Sequence, residues 1–148
     1  MGQTNSGRAL ITCAVDYSTL VYSIVSLDGT VEDLDLPKKQ SISLPPKTTS
    51  KHVVAVLGEK ATVCGREVPV GSVIAYNTVP DIPANERTSI VYMPEPDEVN
   101  AHLFVDGIQA SKTRVYLTMN KRQSERRLIL ENDANEWRII RSIETSIG

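Results

Sequence analysis

Lys112-Thr113-Arg114-Val115-Tyr116-Leu117-Thr118-Met119 is the stretch that decides the fold class. In an extended chain Val115, Leu117 and Met119 fall on one side and Lys112, Arg114, Tyr116 and Thr118 on the other, because successive side chains of a strand point to opposite faces. A helix would spread both sets around its circumference. The stretch is therefore expected to be a strand with one face in a core and the other toward solvent or a partner.

Upstream of it the chain is cut into short pieces. Asp106-Gly107 lies between Ala101–Val105 and Ile108–Ala110, and its glycine suits the positive φ of a two-residue hairpin turn. Pro94-Glu95-Pro96-Asp97-Glu98 and Pro80-Asp81-Ile82-Pro83 leave no room for helices, so Ser89 to Met93 is expected as a short strand between breaks. Gly65, Pro69 and Gly71 punctuate further strands up to Tyr76. His52 to Leu57 is apolar on both faces, the mark of a central strand. Pro37 to Ser50, with Pro45, Pro46 and several hydroxyl side chains, is expected as a loop or an edge segment. Nearer the start, Ile11, Cys13 and Val15 alternate with Thr12, Ala14 and Asp16, and Leu20 to Leu27 is β-branched and aromatic before an Asp28-Gly29 hairpin signal.

Downstream the period changes. Asp133 and Glu136 have capping-box spacing, and Trp137, Ile140, Ile143 and Ile147 recur at helical intervals with Arg138, Arg141 and Thr145 opposite. That pattern predicts an amphipathic helix of about three turns packed on the sheet. A competing pattern pairs Arg127–Glu131 with Trp137–Ser142 as a hairpin across Asn132–Glu136. The expectation is a mainly β (α+β) chain, an antiparallel sandwich or barrel-like sheet with one C-terminal amphipathic helix. Residues 1–8 form a flexible tail, 9–131 the β-rich core domain and 132–148 the helix.

Composition narrows the function. The chain has 148 residues, 41% hydrophobic and 23% charged, with a net charge of −2, so it has the size of one domain and no overall attraction to nucleic acid or anionic lipid. It contains no apolar run of about 20 residues and no secretory leader, which points to an intracellular location. Cys13 and Cys64 sit in apolar runs and are expected to be reduced and buried. His52 and His102 belong to no metal or nucleophile motif, and no phosphate-binding glycine loop is present. The expectation is accordingly no enzyme, no cofactor, no metal and no small-molecule substrate. Leu44-Pro45-Pro46-Lys47 and two tyrosine-based patterns at Tyr17 and Tyr22 read as structural rather than as docking signals.

Two features could carry a function. Met1-Gly2-Gln3-Thr4-Asn5-Ser6 fits the pattern for myristoylation of Gly2 after removal of Met1. One acyl chain binds membrane only marginally and needs a second signal. Residues 1 to 110 hold 8 Lys+Arg against 13 Asp+Glu, a net of −5, whereas residues 111 to 148 hold 8 against 5, a net of +3. Lys112, Arg114, Lys121, Arg122, Arg126 and Arg127 crowd together there around Tyr116 and form a candidate membrane- or nucleic-acid-binding patch.

The acylation-type start, the β-rich domain and the basic cluster together resemble the viral matrix class, proteins that coat the inner face of a membrane and self-associate. In motif terms the resemblance lies in the first six residues. It implies a non-enzymatic, homo-oligomeric structural protein, peripheral at the cytoplasmic face of a membrane or within a virion. Two alternatives stay open: a virion shell or decoration (capsid) protein that never touches lipid, and a small regulatory protein that binds RNA or nucleoprotein.

Overall fold

The computed structural model describes residues 2–3, 9–14, 20–25, 29, 31–33, 46–58, 60–79, 82–95, 104–121, 124–133 and 136–146. The described chain is mainly β, built from antiparallel sheets. The first sheet runs β1 (Gly2–Gln3), β2 (Ala9–Ala14), β3 (Leu20–Val25) and β4 (Val31–Asp33), in that order. Val25 pairs with Val31 across the expected Asp28-Gly29 connection, and Gly29 takes φ 87° there. Gly2 and Gln3 of the expected tail pair with Leu10 and Ala9; the rest of residues 1–8 lies outside the described residues.

The second sheet comprises β5 (Lys47–Thr48), β6 (His52–Val56), β9 (Val73–Asn77) and β10 (Thr88–Tyr92). A separate hairpin, β7 (Ala61–Val63) and β8 (Arg66–Val68), is inserted between β6 and β9. Every residue of β6 and β9 is buried, as expected for strands with apolar side chains on both faces. The edge strand β5 has two residues, which fits the proline-rich stretch that leads into it.

The third sheet runs β11 (Phe104–Ala110), β12 (Arg114–Lys121), β13 (Ser124–Asp133) and β14 (Glu136–Ser146). The alternation expected of Lys112 to Met119 is realised in β12: Val115, Leu117 and Met119 are buried, while Arg114 and Asn120 are exposed and Tyr116 and Thr118 half-buried. The buried row packs, with Val105, Ile108, Leu128 and Leu130, against Val54, Val56, Val73, Ala75, Val91 and Tyr92 of the second sheet. On the other face of that sheet, Val53, Leu57, Ile74 and Tyr76 pack with Val63 and Val68 of the inserted hairpin.

Three expectations are corrected. The C-terminal helix is a strand: residues 136–146 form β14, which pairs along its whole length with β13, so the described part of 132–148 follows the hairpin pattern. Ile139, Ile140, Ile143 and Thr145 are β-branched and suit a strand better than a helix. A bulge between the Ile129 and Leu130 pairings shifts the alternation of β14, so that Ile140 is the extra residue. That offset imitates a helical interval in the sequence.

Asp106-Gly107 is also not a turn. It lies inside β11 as a bulge, with Val105 opposite Met119 and Gly107 opposite Thr118, and the Asp106 carboxylate accepts a hydrogen bond from the Asn120 amide. A side chain at Gly107 would press a Cβ to 3.2 Å from that of Thr118, so glycine serves close strand approach here. Finally, Cys64 is exposed rather than buried. With Gly65 it forms the two-residue turn between β7 and β8, at φ 54° and 71°, and its thiol donates to the Thr88 carbonyl. The side chain of Cys13 lies outside the described residues.

Trp137 joins the second and third sheets at one corner. Its indole N–H donates to Ser89 Oγ at 3.0 Å, and its ring meets His52 in a T-shaped contact with centroids 5.2 Å apart. His52 is 3% exposed, and burial, helped by the neighbouring Lys51 charge, lowers its pKa from 6.5 to about 4.

Two predictions follow from this packing. Leu117→Ala should lower the unfolding free energy by about 2–5 kcal/mol, whereas Arg114→Ala, three positions away on the opposite face, should cost about 1 kcal/mol or less by urea denaturation. The second concerns acid. Above pH 6.5 His52 is neutral whether the chain is folded or not; between 6.5 and about 4 the unfolded chain takes up a proton that the fold refuses, so stability falls as pH falls. By pH 4.5 the His52 share of that loss should reach about 2–3 kcal/mol. Urea midpoints of wild type and His52→Gln at pH 7 and 4.5 isolate it, since the carboxylates titrate in both; equal acid sensitivity of the two proteins would refute the assignment.

Candidate functional site

The third sheet has one face in the core and one open face, and strand register decides what the open face carries. Arg114 lies opposite Glu131, which lies opposite Arg138; Tyr116 lies opposite Ile129, which lies opposite Arg141; Thr118 lies opposite Arg127, which lies opposite Ile143. Gln109 extends the Tyr116 row onto β11. These rows form a surface of arginines around a strip of Tyr116, Ile129 and Ile143.

Several charges on it are paired. Arg114 Nε is 3.8 Å from Glu131 Oε1, Arg127 Nε donates to Glu125 Oε1 at 2.9 Å, and an Arg138 terminal nitrogen donates to Asp133 Oδ2 at 2.8 Å. Arg141 is exposed and has no ion pair among the described residues. The Tyr116 hydroxyl is 3.5 Å from Ser111 Oγ.

The sequence-derived patch is therefore brought together only in part. Arg114, Tyr116 and Arg127 share the open face. Lys112 is exposed in the turn between β11 and β12, where its carbonyl accepts from the Ser50 N–H and hydroxyl at 3.0 and 2.7 Å. Arg126 sits opposite Met119 and Glu144, on the other face of the sheet, half-buried, with its Nε 3.5 Å from Ser142 Oγ. The backbone of Lys121 ends β12, its side chain lies outside the described residues, and Arg122 lies outside them altogether. Gly2 is in β1.

Arg138, Arg141, Ile129 and Ile143 belong to the open face and were not among the expected site residues. The helical pattern had placed both arginines on a solvent face of a separate element. The competing hairpin pattern contained the missing signal, because it sets residues 137–142 beside 127–131.

The trailing strand β14 adds a further property. It is the outermost strand of its sheet, and Ile139 and Ile143 are 49% and 38% exposed. Among the described residues no three His, Cys, Asp or Glu side chains gather where a metal ion could sit, and no helix is long and apolar enough to cross a membrane.

No protein family matches the sequence, and no curated protein does. Among solved structures the chain is similar to a post-proline cleaving enzyme from Rickettsia typhi, with a TM-score of 0.66 and 13% identity. The match covers 93% of this chain and 19% of that one. At that identity the likeness extends to the fold alone: the arrangement of sheets seen here recurs as a fraction of a much longer chain.

Proposed function

We propose that this chain is a non-enzymatic structural protein that self-associates through the open face of its third sheet. The observation that carries the reading is the composition of that face. Tyr116, Ile129 and Ile143 form an apolar strip, and the arginines around it are largely matched by carboxylates. A phosphate polymer or an anionic bilayer gains most from unmatched cations, because binding then releases condensed counterions. Three of the four arginines on this face already have carboxylate partners, which weakens that gain. A protein partner is suited to it, since tyrosine and arginine are the residues enriched in the buried centres of protein interfaces.

A second reading rests on a separate observation. Met1-Gly2-Gln3-Thr4-Asn5-Ser6 retains its acylation pattern, and a lipid on Gly2 would hold a self-associating coat at the cytoplasmic face of a membrane, as in the matrix class or in a virion. In this combination the protein–protein face supplies avidity for the single acyl chain. RNA binding by the same face is the weaker alternative, because Arg126 points away from Arg114 and Arg127.

Sedimentation velocity of the purified full chain tests the first reading. Wild type is expected to associate at micromolar concentration, and the double variant Tyr116→Asp, Arg141→Glu to sediment as a monomer with an unchanged circular dichroism spectrum. Association that survives the double variant, or a monomeric wild type, would remove the reading. Expression in eukaryotic cells with Gly2→Ala tests the second. Flotation with membranes is expected to be lost; flotation unaltered by the substitution ends the lipid proposal.

A further inference from the structure

The edge of a sheet is a row of unpaired N–H and C=O groups, and proteins guard it with short strands, bulges, cover, lysine or proline. Among the described residues, the edges of the four-stranded sheets carry such guards, with one exception. β1, β4 and β5 have two, three and two residues. β11 is bulged at Asp106 and touched by β5, and β10 is bulged at Val91 and touched by β14 and β7. The exception is β14. It runs for 11 residues without lysine or proline, and no described strand pairs with its outer side. Every side chain from Arg138 to Thr145 is exposed, Ser142 and Glu144 included, although these two lie on the face that packs on the second sheet at Trp137. A further strand can therefore approach this end of β14 without meeting β10.

We infer that the outer side of β14 pairs antiparallel with β14 of a second copy, about a two-fold axis at Ile143, and so joins two third sheets edge to edge. The register selects this occupant. A two-fold axis perpendicular to the sheet keeps open face beside open face, so opposed residues come from the same face and the axis passes through a residue. An axis at Arg141 sets that cation against itself, and an axis at Glu144 does the same with two carboxylates; like charges directly opposed are destabilising. An axis at Ser142 or earlier carries the pairing through the bulge at Ile140. At Ile143 the pairing covers residues 141–145, all in regular alternation. Ile143 then faces Ile143, Arg141 faces Thr145 and Ser142 faces Glu144. A β-branched pair sits on the axis and no like charges meet.

This contact uses the edge of the sheet and does not rest on the open-face reading. Five residues a side bury less than the roughly 1,200 Å² of a stable interface, so the edge pair alone forms near about 0.1 mM rather than at micromolar concentration. Beside an open-face contact it supplies a second attachment in a different direction, which is what an extended coat requires.

The test is sedimentation equilibrium of the full chain in a Tyr116→Asp background, which disables the open face and leaves β14 unaltered. Each variant is checked for an unchanged thermal midpoint. Tyr116→Asp is expected to dimerise near about 0.1 mM. Adding Ser142→Glu sets two carboxylates against Glu144 across the axis and is expected to weaken the dimer about tenfold; adding Ser142→Lys sets opposite charges there and is expected to tighten it about tenfold. Lys60→Glu, a charge change at a side chain 79% exposed and outside β14, is expected to leave it unchanged. Shifts of the same sign from Ser142→Glu and Ser142→Lys would overturn the register. So would a Lys60→Glu effect equal to that of Ser142→Glu, since net charge would then account for both. A Tyr116→Asp, Ser142→Lys protein that stays monomeric would overturn the edge pairing, and wild type that still associates at micromolar concentration would leave the open-face reading in place. Wild type that associates no more tightly than Tyr116→Asp, with the Ser142 variants behaving as expected, supports the edge and removes the open face.

Discussion

The described structure depends on the burial of both faces of β6 and β9. All five residues of each strand are buried, so the second sheet requires cover on each side. The third sheet supplies it on one side through Val115, Leu117, Met119, Leu128 and Leu130; the β7–β8 hairpin contributes on the other through Val63 and Val68. A fully buried valine or leucine is worth roughly 1.5–3 kcal/mol, so these paired layers dominate the favourable side of folding. The open face of the third sheet is a consequence: once its apolar row is committed to the second sheet, the pleat sends Arg114, Tyr116 and Arg127 outward.

That constraint also explains the corner formed by Trp137, His52 and Ser89. Trp137 is the half-buried residue with which β14 reaches the second sheet, and the strand beyond it is exposed. The indole satisfies its donor on Ser89 Oγ, and the imidazole beneath it is held neutral by burial. Polar atoms at this junction are placed near the start of β10, where Ser89 faces Ala75, and where His52 faces Asn77, at the margin of the apolar layer. The attachment of β14 beside His52 is consequently weakened by acid.

Much of the β architecture was legible because it obeys period two. The row from Arg114 to Met119, the central position of β6, the short edge β5 and the Gly29 turn all follow from side-chain alternation or from residues with few backbone options. Where the reading failed, a bulge had broken the period. The extra residue at Ile140 turned a strand into an apparent helix, and the bulge before Gly107 turned a strand interior into an apparent hairpin. Cys64 failed for another reason. The apolar run Ala61 to Val63 ends in a turn, and Cys64 at its first position is exposed.

The candidate site shows the same logic in charge. Arg126 and Arg127 are adjacent in sequence, and in a strand adjacent residues must face opposite ways; no strand can gather a run of consecutive cations on one surface. A cationic face in a sheet is instead built across strands, from residues far apart in the chain. Arg127 of β13, Arg114 of β12 and Arg138 and Arg141 of β14 meet that condition, and two of the four could be found only by pairing β14 with β13. The same cross-strand register that collects these arginines also delivers Glu131 between Arg114 and Arg138. A face assembled in this way is patterned rather than simply positive. Patterned charge around an apolar strip discriminates among protein surfaces by complementarity, which a uniform cationic field does not.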